Sequence, residues 1–298
     1  MRTVCVLLSS YNGEQFIKEQ IDSILAQQGV KVRLIVRDDG STDSTVSILE
    51  GYSKKGLLAY YQGANIGWKN SFFDLMLNAP EFEYYAFSDQ DDYWLPSKLE
   101  NALKGLDNLV DGPNLYVSNT LYWRGEFKRE LRTKYPRLNK ERCLIWSLGP
   151  GCTMVFNHKL INLIKVAPPH IETPHDKRVQ QVAALLGHIY YDMKPYIYYR
   201  QHDNNQLGAT ISFMENFKRR FRYYFSFKEN NILEDETTDL LICYGDLMTS
   251  ECVKMCDILV KYKRELLSYL GVLFSMKFLH ENLMTSLGFK WKVMLRRL

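Results

Sequence analysis

A cluster of carboxylates follows a short apolar run in the first third of the chain. Residues 84–87 have the composition of a buried strand, and Ser88-Asp89-Gln90-Asp91-Asp92 comes directly after them. Three acids within four positions repel one another, so they need either a cation or open water. Mg²⁺ takes oxygen ligands and often lies between one or two carboxylates and substrate phosphates. The cluster therefore indicates a metal–diphosphate site at the carboxyl end of a strand, with a plain acidic loop before the helix near Pro96 as the alternative.

Strand and helix patterns alternate through the first hundred residues. Apolar and β-branched runs predict strands at residues 3–8, 32–36, 57–61 and 84–87. Helical spacing of apolar residues predicts helices at residues 14–27, 42–49 and 67–77. Ser41 or Thr42 is available as the cap of the second helix. Such alternation implies βαβ units around a mainly parallel sheet, so the predicted fold class is α/β.

The pattern changes towards the carboxyl terminus. A helix after Pro96 is followed by a strand at 115–123, a charged loop or exposed hairpin at 124–140, a helix at 175–186 and one or two strands at 189–199. From residue 212 onwards the spacing is mainly helical. We therefore expect an α/β domain over residues 1–210 and a helical region over residues 211–298.

Short polar turns follow the first four predicted strands. In chain order they are Ser9-Ser10-Tyr11-Asn12-Gly13, Asp38-Asp39-Gly40-Ser41, Asn65-Ile66-Gly67 and the acid cluster. Because the carboxyl ends of parallel strands meet at one edge of a sheet, these turns outline a nucleotide crevice. The chain has no Gly-X-Gly-X-X-Gly and no Gly-X-X-X-X-Gly-Lys-Ser/Thr, so neither a dinucleotide fingerprint nor an ATPase-type phosphate loop is indicated.

The composition is that of an ordinary folded protein. Of the 298 residues, 46% are hydrophobic and 24% are charged, and no apolar run is long enough to predict a membrane-spanning helix. Six scattered cysteines favour a cytosolic chain with free thiols, with Cys252 and Cys256 in the core. The net charge of +4 lies mostly in residues 211–298, where 14 Lys/Arg face 11 Asp/Glu. So mild a charge does not indicate nucleic-acid binding.

In order and spacing, these motifs resemble those of the family 2 glycosyltransferases, which have the GT-A fold. The matching segments are residues 7–13, 36–43, 65–67 and 89–92. Together with Tyr93-Trp94, the last segment resembles the rhamnosyltransferase-like branch that builds bacterial surface polysaccharides. His175-Asp176 and residues 199–205 are also similar to that branch, and the resemblance covers about residues 2–207.

The resemblance implies a metal-dependent, inverting hexosyltransferase that uses a nucleoside diphosphate sugar and Mg²⁺ or Mn²⁺. The expected donor is dTDP-L-rhamnose, and the expected acceptor is a lipid-linked glycan in cell-surface or capsular polysaccharide synthesis. The alternatives are a transferase that uses a UDP-hexose and a catalytically silent nucleotide-binding assembly subunit.

The resemblance also assigns residues around the donor. The nucleotide-sugar site would comprise Ser9, Ser10, Tyr11, Asn12, Asp38, Asp39, Asn65, Gly67, Asp89 and Arg200. The metal would be held by Asp89, Asp91 and His202, with Asp91 in direct contact. As an alternative, capping a turn and a helix could be the sole role of Asp38 and Asp43. Arg200 and His202 could likewise be surface residues of a loop.

Inversion requires a general base on the sugar face opposite the leaving group, so the base should come from a distant segment. The resemblance assigns this role to Asp176, at the start of a predicted helix; the alternative is an acid that offsets the helix dipole. On the acceptor side we expect Trp94, Gly151 and His175. Glycine permits close approach, whereas Trp94 could equally be a core residue.

Cations and aromatic rings interleave at residues 217–228 and again at residues 289–298. Such segments can lie in a membrane interface, with the rings at headgroup depth and the cations on anionic lipids. The alternatives are a helix packed on the α/β domain and a homodimer contact. The expected location is cytoplasmic, peripheral on the inner face of the cell membrane.

Overall fold

The structure is a computed structural model that describes residues 1–201 and 232–297. Its strands are β1 (Thr3–Ser10), β2 (Lys31–Asp38), β3 (Ala59–Gln62), β4 (Tyr84–Ser88), β5 (Tyr93–Trp94), β6 (Asn114–Arg124), β7 (Phe127–Glu130), β8 (Met154–Asn157) and β9 (His188–Arg200). Its helices are α1 (Ile17–Leu25), α2 (Thr45–Lys54), α3 (Gly67–Asn78), α4 (Lys98–Asp107), α5 (Lys140–Ile145), α6 (His158–Val166), α7 (His175–Leu186), α8 (Ile232–Tyr244), α9 (Ser250–Lys261), α10 (Leu266–Phe274) and α11 (Leu283–Met294).

Within the described residues the strands form one sheet in the order β3-β2-β1-β4-β8-β6-β9-β5, with β7 paired to β6. β1 pairs in parallel with both β2 and β4, and β8 runs antiparallel between β4 and β6. The register places Ser10 beside Asp38 and Leu8 beside Ser88. The predicted α/β class is therefore confirmed, and the ends of β1, β2 and β4 meet at one edge.

Alternating side chains of β1 fill two cores. Cys5 and Leu7 pack in one cluster with residues of α3, α6 and α7. Val4, Val6 and Leu8 pack in the other with residues of α1, α2 and α4. Because helices cover both faces of the sheet, β1 is a continuous apolar run rather than an alternating one, as is usual for parallel sheets.

The carboxyl-terminal helices share the first of these cores. Leu240, Cys252, Cys256 and Leu259 are buried in the same cluster as the β4 residue Phe87, so the predicted core placement of the two cysteines is confirmed. The predicted boundary near residue 210 and the segment 217–228 lie outside the described residues. In the described part of the chain, no helix has the length and apolar character needed to cross a bilayer.

Two local expectations are corrected. α2 begins at Thr45, and the Asp43 carboxylate accepts the Thr45 amide at 2.9 Å, so the expected cap at Ser41 or Thr42 is wrong. In the segment 289–298, Phe289 and Val293 are buried in the core, which corrects the expectation that this segment turns its aromatic rings to a membrane. These side chains instead pack α11 against the rest of the molecule.

Candidate functional site

The end of β2 is organised by Asp38, which is fully buried. Its carboxylate accepts hydrogen bonds from the Ser10 hydroxyl at 3.1 Å and from the Ser41 amide and hydroxyl at 2.8 and 2.5 Å. Asp38 thus caps its own turn and ties it to the end of β1, as the alternative interpretation proposed. Contact of Asp38 with a nucleobase stays a prediction.

Asp39 builds the next turn along the edge. The Arg37 guanidinium donates to its carboxylate at 2.5 Å, and the amides of Ile66 and Gly67 donate to it at 2.9 Å each. Gly67 has φ +80°, a conformation that favours glycine. The Asn65 side chain also accepts the Gly67 amide at 3.2 Å. The structure therefore brings Asn65 and Gly67 to the edge predicted for them, with Asp39 holding the turn.

The first turn lies against both neighbours. The Asn12 carbonyl oxygen Oδ1 accepts the Thr42 amide at 2.9 Å, and Ser9 Oγ lies 2.6 Å from Ser71 Oγ of α3. The Tyr11 side chain is 47% exposed, so its ring is available to a ligand. These hydrogen bonds, with those of Asp39, join the first three predicted turns into one continuous edge.

The acid cluster lies at the end of β4. Burial, followed by the charges of Asp91 and Asp176, raises the pKa of Asp89 to about 7. Burial, followed by the charges of Asp91 and Asp89, raises the pKa of Asp92 well above its ordinary value. The Cys152 thiol lies within 4.8 Å of carboxylate oxygens of Asp89 and Asp92, and burial raises its own pKa. Four carboxylates, three from the loop after β4 and one from α7, therefore crowd together, as a cation site requires.

Asp92 is the inner member of the cluster. Its Oδ1 accepts the Arg200 amide at 3.2 Å, whereas its buried Oδ2 has no hydrogen-bond partner in the described residues. Beneath it lies Lys98, which is fully buried with its Nζ 3.4 Å from the centroid of the Trp94 ring. Burial lowers the pKa of Lys98 to about 7.

Trp94 itself is 1% exposed and packs in the core, which corrects its placement on the acceptor side. The short pairing of β5 with β9 sets Trp94 opposite Ile197 and turns the indole inward. Lys98 could not be recognised from the sequence, because a lysine at the start of an amphipathic helix is usually solvated.

Asp176 lies in the first turn of α7, as predicted. Burial raises its pKa, while hydrogen bonds from backbone amides, including that of Gly151, oppose the rise. A Cβ on Gly151 would lie 3.3 Å from the Asp176 Cβ. The charge of Asp176 also contributes to the raised pKa of Asp89, so the two carboxylates interact electrostatically. The structure thus brings together Asp89, Gly151 and Asp176 from three separate segments.

His175 is a buried residue that packs beneath Gly151 and Asp176. It is 3% exposed, stacks on Phe72 with ring centroids 3.9 Å apart and meets Phe87 edge-on at 4.7 Å. Burial lowers its pKa to about 3, so the ring is neutral. Its expected contact with an acceptor is therefore corrected: the imidazole is a packing residue under Gly151 and Asp176.

Arg200 lies against the acid loop. Its guanidinium donates to the Asp91 carbonyl at 2.9 Å, pairs with Glu19 and stacks over Trp123 at 4.2 Å. The side chain is 17% exposed, so the surface-loop alternative does not hold for it, and its contact with phosphate stays a prediction. His202 lies outside the described residues.

The acid cluster and Cys152 form a potential metal-binding site. Ligand atoms of Asp89, Asp92 and Cys152 all lie within 4.8 Å of one another. Because the Cys152 thiol is buried and its pKa is raised, it stays protonated and is a poor ligand for a hard cation. The carboxylates, with the unpartnered Asp92 oxygen, fit a divalent cation such as Mg²⁺ or Mn²⁺.

A second group with ligand chemistry lies between α8 and the loop before α7. His170, Asp239 and Cys243 have ligand atoms within 4.8 Å of one another. Asp239, however, is paired with the fully buried Arg178, and its other oxygen accepts from the His170 amide and lies 3.0 Å from the His170 ring. A cation already neutralises this carboxylate, so the group acts as a link between α7 and α8.

Comparison with known proteins gives the family. The glycosyl transferase family 2 model matches residues 5–164. The dTDP-rhamnosyl transferase RfbG of Shigella flexneri is 32% identical over 229 residues, which cover 71% of this chain and 77% of RfbG. An uncharacterized glycosyltransferase of Rickettsia typhi is 26% identical over 226 residues, covering 72% of this chain and 69% of that protein.

Solved structures give the fold. S. aureus TarS 1-349 in complex with UDP-GlcNAc aligns with a TM-score of 0.58 at 19% identity, over 100% of this chain and 92% of that one. The mannosyltransferase PcManGT from Pyrobaculum calidifontis, in complex with GDP-Man and Mn²⁺, aligns with a TM-score of 0.52 at 14% identity, over 99% and 86% of the two chains. With the GT-A fold that these neighbours support, and with the sequence similarity to RfbG, this chain belongs to glycosyl transferase family 2.

Proposed function

We propose that this protein is an inverting, metal-dependent hexosyltransferase that moves a sugar from a nucleoside diphosphate sugar to a glycan acceptor. The observation that carries the proposal is the position of Asp176, which packs beside Gly151 and whose charge helps to raise the pKa of Asp89 in the acid cluster. A candidate base next to a diphosphate-binding cluster is what a single displacement requires. A silent assembly subunit would have no need of this pair.

The donor site is assigned to the turns along the sheet edge. Ser9, Ser10, Tyr11, Asn12, Asp38, Asp39, Asn65 and Gly67 would surround the nucleoside. Asp89, Asp91 and His202 would hold Mg²⁺ or Mn²⁺, with Arg200 beside the diphosphate. A bound divalent cation would stabilise the charge that develops on the leaving diphosphate.

The acceptor hydroxyl attacks the anomeric carbon as the bond from that carbon to the diphosphate oxygen breaks. Asp176 receives the proton of the hydroxyl, and the nucleoside diphosphate leaves with the bonding pair. The raised pKa of Asp176 suits this role, since a general base works best when its pKa is near the working pH. Gly151 leaves space for the acceptor beside the carboxylate.

For the sugar, dTDP-L-rhamnose is the first choice because RfbG, the 32% identical relative, is named a dTDP-rhamnosyl transferase. A UDP-hexose is the second choice, supported by the fold shared with a TarS structure that contains UDP-GlcNAc. The proposed acceptor is a lipid-linked glycan of a cell-surface polysaccharide. We place the protein in the cytoplasm, peripheral on the inner face of the membrane, and a homodimer is the alternative use of its helical region over residues 211–298.

The test is hydrolysis and transfer across a panel of nucleotide sugars, with and without Mg²⁺ or Mn²⁺. We expect one donor to be hydrolysed only with metal, and Asp91→Asn to abolish this. Asp176→Asn should lower transfer by roughly a hundredfold or more while leaving donor binding intact. Asp111→Asn is the matched control, because this carboxylate is 84% exposed and lies outside the site. A folded wild-type protein that binds no nucleotide sugar would contradict the proposal.

A further inference from the structure

α10 is an apolar helix whose outer side is open to solvent. Leu267, Leu270 and Phe274 are 83%, 36% and 73% exposed, and their spacing of three and four residues places them on one stripe. The opposite side carries Val272 and Ser268, both buried. Large apolar side chains in a row on a surface mark an interaction site rather than a scatter of tolerated residues.

The apolar surface continues beyond this helix. Met276, just after α10, is 66% exposed, and Leu283 and Leu287 on α11 are 75% and 56% exposed. α11 is held to α10 by Lys290, whose Nζ donates to the carbonyls of Val272 at 3.1 Å and of Ser275 at 2.7 Å. The two helices thus present their apolar side chains from one joined unit.

Cations surround this surface. Residues 261–297 contain eight Lys/Arg (261, 263, 264, 277, 290, 292, 296 and 297) and two Asp/Glu (265 and 281), and of these cations Lys292 is buried and Lys290 bonds to backbone carbonyls. Lys261 and Arg264 come just before α10, and Lys277 follows it, so cations stand at both ends of a helix about 13 Å long. At the start of α10 the four cations Lys261, Lys263, Arg264 and Arg296 outnumber the three acids Asp257, Glu234 and Glu265, and Arg296 is held there by a hydrogen bond to the Lys263 carbonyl at 2.6 Å.

An apolar stripe with cations at its two ends has the composition of a helix that lies in a lipid interface. Two copies of the chain placed face to face would bring like charges together, which is costly. We propose that the exposed face of α10, extended by Met276 and the outer residues of α11, docks the protein on an anionic lipid surface. The inference deepens the membrane part of the proposed function and rests on it.

The docking surface is joined to the acceptor side of the site. Glu281, in the connection between α10 and α11, pairs with Arg142 at 2.6 Å and lies 3.7 Å from Arg132. Arg132 donates to the carbonyls of Ser147 at 2.7 Å and of Leu148 at 3.0 Å, just before Gly149-Pro150-Gly151. A lipid surface held by α10 would therefore lie at a fixed position relative to the floor beside Asp176.

The test is flotation of the full chain with vesicles of phosphatidylcholine alone and of phosphatidylcholine mixed with phosphatidylglycerol. We expect binding to the anionic vesicles that weakens as salt is raised. Leu267→Gln/Phe274→Gln should lower the partition coefficient at least about tenfold. Val110→Gln/Val166→Gln is the matched control, since these side chains are 70% and 86% exposed elsewhere, and it should bind like wild type.

Charge is tested separately. Arg264→Gln/Lys277→Gln should weaken binding to anionic vesicles, whereas Lys54→Gln/Lys104→Gln should not, although all four cations are exposed and paired with an acid. Circular dichroism checks that each variant is folded.

Three outcomes would overturn the assignment. The first is wild-type vesicle binding by Leu267→Gln/Phe274→Gln, which would place the contact elsewhere, such as residues 217–228. The second is a wild-type protein that binds no vesicles and forms a dimer in light scattering, with the dimer lost in Leu267→Gln/Phe274→Gln. The third is an active, monomeric protein that binds no vesicles. Donor hydrolysis without vesicles is measured in parallel. A protein that hydrolyses no donor would refute the proposed transferase activity. A protein that hydrolyses the donor but binds no vesicles would refute only the docking surface.

Discussion

Gln90 and Tyr11 are joined by a reciprocal pair of hydrogen bonds. The Tyr11 amide donates to Gln90 Oε1 at 2.8 Å, and Gln90 Nε2 donates to the Tyr11 carbonyl at 3.0 Å. A Cβ on the nearby Gly13 would lie 2.2 Å from Gln90 Oε1, so glycine leaves the space that the amide fills. Gln90 therefore ties the loop bearing Asp89 and Asp91 to the turn at the end of β1.

Gln90→Ala should loosen the carboxylates without unfolding the protein. Because a supporting residue that orients metal ligands contributes to metal affinity, we expect the affinity for Mn²⁺ with nucleotide to fall about tenfold to a hundredfold. Titration calorimetry measures this. Gln28→Ala removes an exposed glutamine side chain and is the control. Unchanged affinity in folded Gln90→Ala would show that the loop is held without the amide pair.

Gly151→Ala should impair transfer. The new Cβ would lie 2.7 Å from His175 Nε2 and 3.3 Å from the Asp176 Cβ, so one of these side chains must move. We expect the transfer rate to fall by about a hundredfold, the usual cost of a small displacement of a reacting group. The measurement is the steady-state rate with saturating donor.

Gly51→Ala is the matched control for this substitution. Gly51 lies inside α2, and a Cβ there would meet nothing within 4 Å. The control should keep full activity and raise the free energy of unfolding by about 0.5–1 kcal/mol, because alanine is the better helix former. Wild-type rates in Gly151→Ala would remove the acceptor role from this glycine.

Local patterns were enough to predict β1 to β4, the helices between them and the edge on which the turns meet, whereas β5, α5 and α6 were not predicted. The run at residues 3–8 and the turn at Ser9–Gly13 depend on neighbours in sequence, and the parallel sheet then fixes where they lie. Trp94 could not be placed in this way, because it is buried through the pairing of β5 with β9, about a hundred residues away. Lys98 was missed for the same reason, since its burial depends on Trp94 and Cys152.

Other site residues were predicted by type but not by partner. The position of Asp39 at the sheet edge could be predicted from the sequence. Its contacts with Arg37 and with the amides of Ile66 and Gly67 could not, because they depend on how the turns pack against one another. Phe289 was assigned to a membrane because it lies among cations, yet it is buried against other helices. Composition shows that a segment is amphipathic, and only tertiary packing decides which of its side chains face outward.

Breaking the ion pair of Glu281 and Arg142 should destabilise the fold. Arg142 is fully buried, and its guanidinium bonds to both oxygens of Glu281 at 2.6 and 2.9 Å. Glu281→Gln leaves a buried cation without its counter-charge, so we expect a loss of about 3–5 kcal/mol in the free energy of unfolding. Chemical denaturation measures this. Glu50→Gln, which breaks an exposed pair with Lys54, should change stability by less than about 1 kcal/mol.

The same pair predicts how stability depends on pH. Burial alone would raise the Glu281 pKa, but the hydrogen bonds from Arg142 and the Arg137 amide outweigh it and lower the pKa to about 2. A lowered carboxyl pKa stabilises the fold above the ordinary value of 4.5, and this stability is lost as the pH falls towards 2. Glu281→Gln should therefore flatten the acid limb of the stability curve. An unchanged acid limb would assign the acid sensitivity to other carboxylates.

Asp89 predicts the opposite pH dependence, together with a response to metal. Burial and the charges of Asp91 and Asp176 raise its pKa to about 7, so the folded protein holds a proton that the unfolded chain has released. Without metal, this group stabilises the fold at low pH, and that contribution is lost as the pH rises through about 7.

A bound cation replaces the proton, so below this pKa the apparent Mn²⁺ affinity should fall about tenfold for each pH unit. Thermal unfolding with and without Mn²⁺, one pH unit below and one pH unit above the Asp89 pKa, measures this. We expect Mn²⁺ to stabilise the fold more at the higher pH, and to give no stabilisation in Asp89→Asn. Equal stabilisation by Mn²⁺ at both pH values would mean that the metal binds without displacing the proton, and the cation would then be assigned to Asp91 without Asp89.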